Sequence, residues 1–227
     1  MRISFLGHAC FHVKSAQGEI LFDPYLRDNP MAALSPNDVN ADAILVSHAH
    51  SDHLGDAVAI SKRLRIPIVA TYELALYCGK QGARAHAMHI GGDHTFSFGW
   101  VKLTPALHGS SVEENGKTIC TGVPCGFLVR TEEKTIYFAG DTGLFGDMQL
   151  LGDMYDIDVA ILPIGGNFVM GPEDAARAAK MLRPKMVIPM HYNTFDLIKQ
   201  DPQEFAQRLE ALRIDCHILR PGESVEI

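Results

Sequence analysis

The stretch 43–55, AILVSHAHSDHLG, sets an apolar, β-branched run directly against four side chains that bind metals well. Ile44-Leu45-Val46 reads as the end of a buried strand, and His48, His50, Asp52 and His53 follow at once. A solvated polar loop is one reading and a metal site the other. Partners elsewhere in the chain decide between them.

Three such partners share the signature of a polar residue just after an apolar strand. Residues 101–107 lead to His108, residues 135–139 to Asp141, and residues 186–190 to His191. Strand ends on one edge of a sheet can converge, and that edge is where α/β scaffolds place their chemistry. Five histidines and two aspartates are too many for one tetrahedral ion and about right for two. None of the matching positions is a cysteine, and nitrogen and carboxylate ligands with room for solvent describe a catalytic rather than a structural site. Two ions roughly 3.5–4 Å apart can share a bridging hydroxide, the pKa of whose parent water falls toward ~7. Residues i and i+2 of an extended turn point the same way, so His48 and His50 can grip one ion together. A helix is predicted over 54–64, with His53 at its start and Asp52 comfortable beside its N-terminus. Gly7 and Gly55 are expected to let backbone come near the ions.

The rest of the chain mixes strands and helices. Strands are predicted at 2–7, 10–14, 19–22, 43–46, 67–70, 95–98, 101–105, 126–129, 135–138, 159–163, 186–190 and 216–219. Helices are predicted at 72–80, at 172–182 with Pro172 in its first turn, and at 202–212 with Asp201 as N-cap. Residues 27–40 and 109–122 read as loops. Two sheets face to face with helices outside would bury such strands on both faces. With 227 residues, no linker and no low-complexity segment, one domain over 1–227 is expected. The formal net charge of −7, from Lys+Arg 20 against Asp+Glu 27, disfavours nucleic acid as a partner, and no dense Lys/Arg cluster offsets it. No apolar run approaches the roughly 20 residues that span a bilayer, and the N-terminus does not read as a signal peptide. Five cysteines without a Cys-x-x-Cys fit reduced thiols. A cytoplasmic protein without membrane association is therefore expected.

The pattern His48-x-His50-x-Asp52-His53, then His108, Asp141 and His191, resembles the metallo-β-lactamase superfamily in order and spacing. LGHACF at 6–11, GGN at 165–167 and MGPEDAA at 170–176 further resemble a branch of small bacterial metal-dependent hydrolases related to the ascorbate-6-phosphate lactonase group. The resemblance implies an α/β fold, a four-layer αββα sandwich. It implies that His48, His50 and His108 bind one ion, that Asp52, His53 and His191 bind the second, and that Asp141 bridges both. Zinc is the implied occupant, with manganese or iron found in relatives. The implied activity is a metal-dependent hydrolase in which a hydroxide bridging two ions attacks an ester, lactone or phosphodiester of a small-molecule substrate. A metal-dependent oxidoreductase on the same fold is the alternative, and a non-catalytic binding module ranks below it. On assembly, the resemblance is compatible with a homo-oligomer and implies nothing stronger.

Beyond the ligands, Asp52 is a candidate for orienting the nucleophile or carrying its proton. His8 is a candidate for substrate contact or proton transfer, and Asn193 for orienting an oxyanion. Asp23 reads as a supporting partner or a turn residue rather than a ligand. His12, His86, His89, His94 and His217 read as structural or surface residues. Met148, Met154, Met170, Met181, Met186 and Met190 read as core. Cys120 and Cys125 are the thiols expected to be most reactive.

Overall fold

Alternation along a strand sends successive side chains to opposite faces, and this chain puts apolar residues on both. The computed structural model describes residues 1–132 and 134–227. Its first half runs β1 (Arg2–Gly7), β2 (Cys10–Ser15), β3 (Gly18–Phe22), β4 (Ala43–Leu45), α1 (Ser51–Leu54), α2 (Ala57–Leu64), β5 (Pro67–Thr71), α3 (Tyr72–Lys80) and β6 (Arg84–Met88). The chain continues through β7 (Asp93–Phe96), β8 (Gly99–Pro105), β9 (Ser111–Glu114), β10 (Lys117–Cys120), β11 (Cys125–Thr131), β12 (Lys134–Phe138) and α4 (Met148–Met154). It ends with β13 (Val159–Pro163), α5 (Pro172–Leu182), β14 (Met186–Met190), a 3-10 turn (Asp196–Ile198), α6 (Pro202–Ala211), β15 (Asp215–Cys216) and β16 (Ser224–Glu226).

Two seven-stranded sheets result, ordered β16-β1-β2-β3-β4-β5-β6 and β15-β14-β13-β12-β11-β8-β7. Each is antiparallel on one side and parallel on the other, the change falling at β3 and at β12. Their inner faces meet in one core. Phe5, Phe11, Phe22 and Leu45 from the first sheet pack there with Leu103, Phe127, Phe138 and Ile188 from the second. The alternate residues Leu21, Ile44 and Ile68 face outward and are covered by Ile60 of α2 and Leu74 of α3. Leu128, Tyr137 and Val187 are covered in the same way by Met148 of α4, Ala179 of α5 and Phe205 of α6. The layers are thus helix, sheet, sheet, helix, the expected αββα sandwich. No helix among the described residues is long and apolar enough to cross a membrane.

Several local expectations are corrected. The helix predicted over 54–64 is two helices, α1 and α2, broken at Gly55, which turns to φ +39°. A Cβ on Gly55 would lie 2.5 Å from Pro24 O, and one on Gly7 2.7 Å from Met31 O. These glycines therefore admit the 23–31 segment against the backbone rather than bringing backbone to the ions. The 109–122 segment is not a loop but the β9–β10 hairpin, in register from Glu114 opposite Lys117 to Ser111 opposite Cys120. Asn115 and Gly116, both at positive φ, turn it, and Asn-Gly is the dipeptide such turns favour. Helix α4 was not foreseen, because Leu150 and Met154 face solvent and blur its apolar stripe. Met154 is accordingly not core, at 68% exposed. Cys125 is fully buried, and burial pushes its thiol pKa well up, so of the two thiols expected to react only Cys120 is exposed. The cap at Asp201 is as expected, its carboxylate accepting from Gln203 N–H.

Phe138 stacks on Phe22 across the sheets with ring centroids 4.7 Å apart. Phe138→Ala is expected to lower unfolding free energy by about 3–5 kcal/mol in urea denaturation. Leu197→Ala, at a side chain 67% exposed, should change it by less than about 0.5 kcal/mol.

Candidate metal centre

Every predicted ligand leaves the end of a strand or the turn just beyond it. His48 and His50 follow β4, Asp52 and His53 form the short α1, His108 follows β8, Asp141 follows β12, and His191 follows β14. Backbone hydrogen bonds lock these turns across the seam between the sheets. Cys125 N–H donates to Ser47 O at 2.9 Å, and His191 N–H to His8 O at 2.8 Å. Gly140 is needed for the approach, since a Cβ there would lie 2.7 Å from the Ser47 side chain.

The side chains converge in two groups, His48, His50 and His108 in one, and His8, Asp52, His53 and His191 in the other, with a third set, Asp23, His48 and His53, overlapping both. In the first, His48 Nε2 and His108 Nε2 lie 2.9 and 3.2 Å from His50 Nδ1. Asp141 Oδ2 is 4.0 Å from His48 Nε2 and 3.5 Å from His108 Nε2. In the second group His53 Nε2 is 3.2 Å from Asp141 Oδ1 and 3.9 Å from Asp52 Oδ2. His191 Nε2 is 3.0 Å from Asp141 Oδ2 and 3.8 Å from Asp52 Oδ2. Tetrahedral ligands at 2.0–2.1 Å from zinc stand about 3.3 Å apart, so the donor spacings fit such ions. His53 Nε2 and Asp141 Oδ1 are buried and face each other at 3.2 Å without a well-aligned hydrogen bond, and a cation would satisfy both.

One fully buried carboxylate orients a ligand in each group. Asp23 accepts from Ser47 N–H at 2.7 Å, from Ser47 Oγ–H at 2.6 Å and from His53 Nδ1–H at 2.7 Å. Ser47 Oγ, its own proton committed to Asp23, takes the Nδ1–H of His48 at 3.0 Å. Both rings thereby hold their protons on Nδ1 and present Nε2 to the centre. Asp23, read from the sequence as a supporting partner or a turn residue, holds Ser47 and His53 by hydrogen bonds. What the sequence did not reveal is that it serves both groups, through Ser47.

His8 joins the cluster. Its Nε2–H donates to Asp52 Oδ2 at 3.1 Å, and its Nδ1 accepts from Thr194 Oγ1 at 2.9 Å. Burial pulls its pKa down to about 4 against its hydrogen bond to Asp52, so the ring is neutral at pH 7. Asn193 is not brought in. Its Oδ1 accepts from Gln200 N–H at 2.9 Å, tying down the turn after β14, and it borders a separate depression beside Lys199 and Glu204. His8, Asp23 and His191 adopt φ of 58°, 38° and 56°, uncommon values for such residues that the surrounding packing enforces.

Burial lowers His48, His50 and His108 below the ordinary histidine value. Burial also opposes a charge on His53, but Asp141 and Asp52, helped by Asp23, outweigh it and raise His53 well above that value. Burial would raise Asp141, yet His53 and His191 hold it well below the usual carboxylate range. In the absence of a cation, the proton on His53 is what balances the carboxylates around it.

A family model described as a beta-lactamase superfamily domain matches residues 2–191. A metal-dependent hydrolase of Pelotomaculum thermopropionicum is 52% identical over 100% of both chains. One of Desulforamulus reducens is 53% identical, again over 100% of both. Among solved structures, Igni18, a metallo hydrolase of the archaeon Ignicoccus hospitalis, superposes with a TM-score of 0.89 at 36% identity, covering 99% of this chain and 97% of its own.

A cation entering the second group has to displace the His53 proton. In the metal-free chain the raised His53 contributes stability that is full below its unfolded pKa of ~6.5 and is lost as pH rises through the folded value. Metal affinity should therefore climb above neutral pH by about tenfold per unit for each proton displaced, and level off once His53 is neutral. Competition against a chromogenic chelator between pH 6.5 and 9 reads this directly. Asp23→Asn should weaken binding in the same assay by roughly 10–100-fold.

Proposed function

The chain belongs to the beta-lactamase superfamily, and on that footing we propose that its two donor groups hold two divalent ions with which it hydrolyses an ester, lactone or phosphodiester. That the protein is a metal-dependent hydrolase follows from its full-length relatives. The ion count, the ligand roles and the reaction are the proposal. His48, His50 and His108 would hold one ion, and Asp52, His53 and His191 the other, with Asp141 within reach of both groups. The observation that carries this reading is Asp141 itself. One buried carboxylate has oxygens 3.0–4.0 Å from donor nitrogens of both groups. The nitrogen-rich donor set suits zinc. The whole chain, 1–227, is the working unit, its last strand β16 pairing with β1 in the first sheet.

Bound divalent ions supply Lewis acidity that acidifies water and polarises the scissile oxygen of the substrate. The chain's own groups do the rest. Asp23 fixes the tautomers of His48 and His53, so the donor atoms need no rearrangement. Asp52, about a quarter exposed at its side chain, is the carboxylate of the second group open to the cavity and the group placed to take a proton from the attacking water. His8 holds Asp52 in orientation through Nε2–H and is itself steadied by Thr194, which makes it a positioning residue. The donor set offers no reason to prefer oxidation, and the full-length relatives are hydrolases.

Zinc-loaded protein should hydrolyse a chromogenic ester, a lactone or a phosphodiester, and chelation should abolish the rate. Asp52→Ala is expected to lower kcat by roughly 10²–10⁴-fold. Elemental analysis should find two ions per chain in the wild type and fewer in Asp141→Ala. One ion per chain, unchanged in that variant, would overturn the paired site.

A further inference from the structure

The donor cluster floors a cavity of about 840 Å³, and the walls of that cavity are chemically one-sided. We propose, resting on the hydrolase reading above, that the substrate is an ester or lactone with no negative charge, presenting an aryl or alkyl group to an aromatic wall beside the metal centre. Among the described residues, the lining holds no lysine and no arginine. It does hold carboxylates besides Asp52 and Asp141, namely Asp28 and Glu113, and Asp56, whose charge Arg27 offsets. Arg27, the cation next to this wall, faces Asp56 at 3.3 Å and is committed to it. A phosphate or carboxylate borne away from the reacting bond would meet like charge and no partner.

The lining includes the aromatic side chains of Tyr25, Phe168 and Phe195, and of Tyr77 beside the β9–β10 hairpin. Both tyrosine hydroxyls are already engaged. Tyr25 Oη–H donates to Asp28 O at 2.6 Å and Tyr77 Oη–H to Glu114 at 2.5 Å. These residues therefore offer ring surface rather than polar recognition. Phe168 and Phe195 are 52% and 39% exposed, large apolar area left uncovered at the mouth of a polar site. Phe195 and Tyr25 both stand edge-on to His8, with ring centroids 5.4 and 5.8 Å away. Aromatic surface thus begins directly beside the donor cluster, within reach of a group attached to the scissile bond. A cavity with apolar walls and a few fixed polar groups at one end binds in this manner.

The test compares γ-phenyl-γ-butyrolactone with the same lactone carrying a phosphoryloxymethyl group in place of the phenyl. Hydrolysis by the zinc-loaded protein is measured for both, and calorimetric binding for the two matching cyclic ethers, which cannot be hydrolysed. The phenyl compounds should be favoured in kcat/KM and in affinity by roughly tenfold or more. Phe195→Ala and Phe168→Ala should each raise KM for the phenyl lactone more than they lower kcat, and Glu113→Lys should improve the phosphorylated compounds. Equal or better binding of the phosphorylated ether by the wild type would overturn the inference, even if both lactones are hydrolysed. Preferential binding of the phenyl ether without turnover of either lactone would instead sink the acyl-hydrolysis reading and leave the cavity's preference standing.

Discussion

Buried charge has to be compensated, and the seam between the two sheets gathers more of it than hydrogen bonds alone can settle. Asp23 and Asp141 are essentially sealed from solvent, as are His48, His53 and His191. Isolated ionised groups at such depth are prohibitively costly. Asp23 is answered by Ser47 and His53. Asp141 is answered by imidazoles alone, with one oxygen lacking a well-aligned hydrogen bond. The positive φ values at His8, Asp23 and His191 show backbone held in uncommon conformations to keep these groups together, which packing sustains only where two sheets clamp the turns from both sides.

The convergence of the candidate donors was legible in the sequence because each is adjacent in the chain to the strand that delivers it. An apolar run followed by His or Asp is a local signal, and it holds for His48, His108, Asp141 and His191. Asp23 carries the same signal after β3. Its partnership with Ser47 and His53 was not legible, because it depends on the parallel pairing of β3 with β4, which no local pattern encodes. The sandwich was legible for a related reason. Alternating apolar residues on both faces of the same strands require a layer on each side. The β9–β10 hairpin was overlooked although Asn115-Gly116 announced it, since its strands are polar and mostly exposed. The aromatic wall had no sequence signal. Tyr25, Phe168 and Phe195 come from three separate turns, and only the fold places them together.

Two kinds of segment contribute unlike things to the cavity. Turns at the strand ends supply rigid donors whose tautomers are set from behind by Asp23. The more exposed segments, the β9–β10 hairpin and the turns around Phe168 and Phe195, supply the walls. Chemistry and selection are thus carried on structurally separate parts, so the walls can differ between relatives without disturbing the donors.

The ligands of each donor group come from both sheets. His48 and His50 follow a strand of the first sheet while His108 follows one of the second, and His53 is separated from its partner His191 by most of the chain. Neither sheet can assemble a complete group by itself. During folding, the donors meet only after long-range pairing and the closure of Phe22 on Phe138 have docked one sheet on the other. Such non-local contacts form slowly. A complete donor group therefore requires both sheets in place, and a chain with one sheet formed offers scattered histidines rather than a binding site.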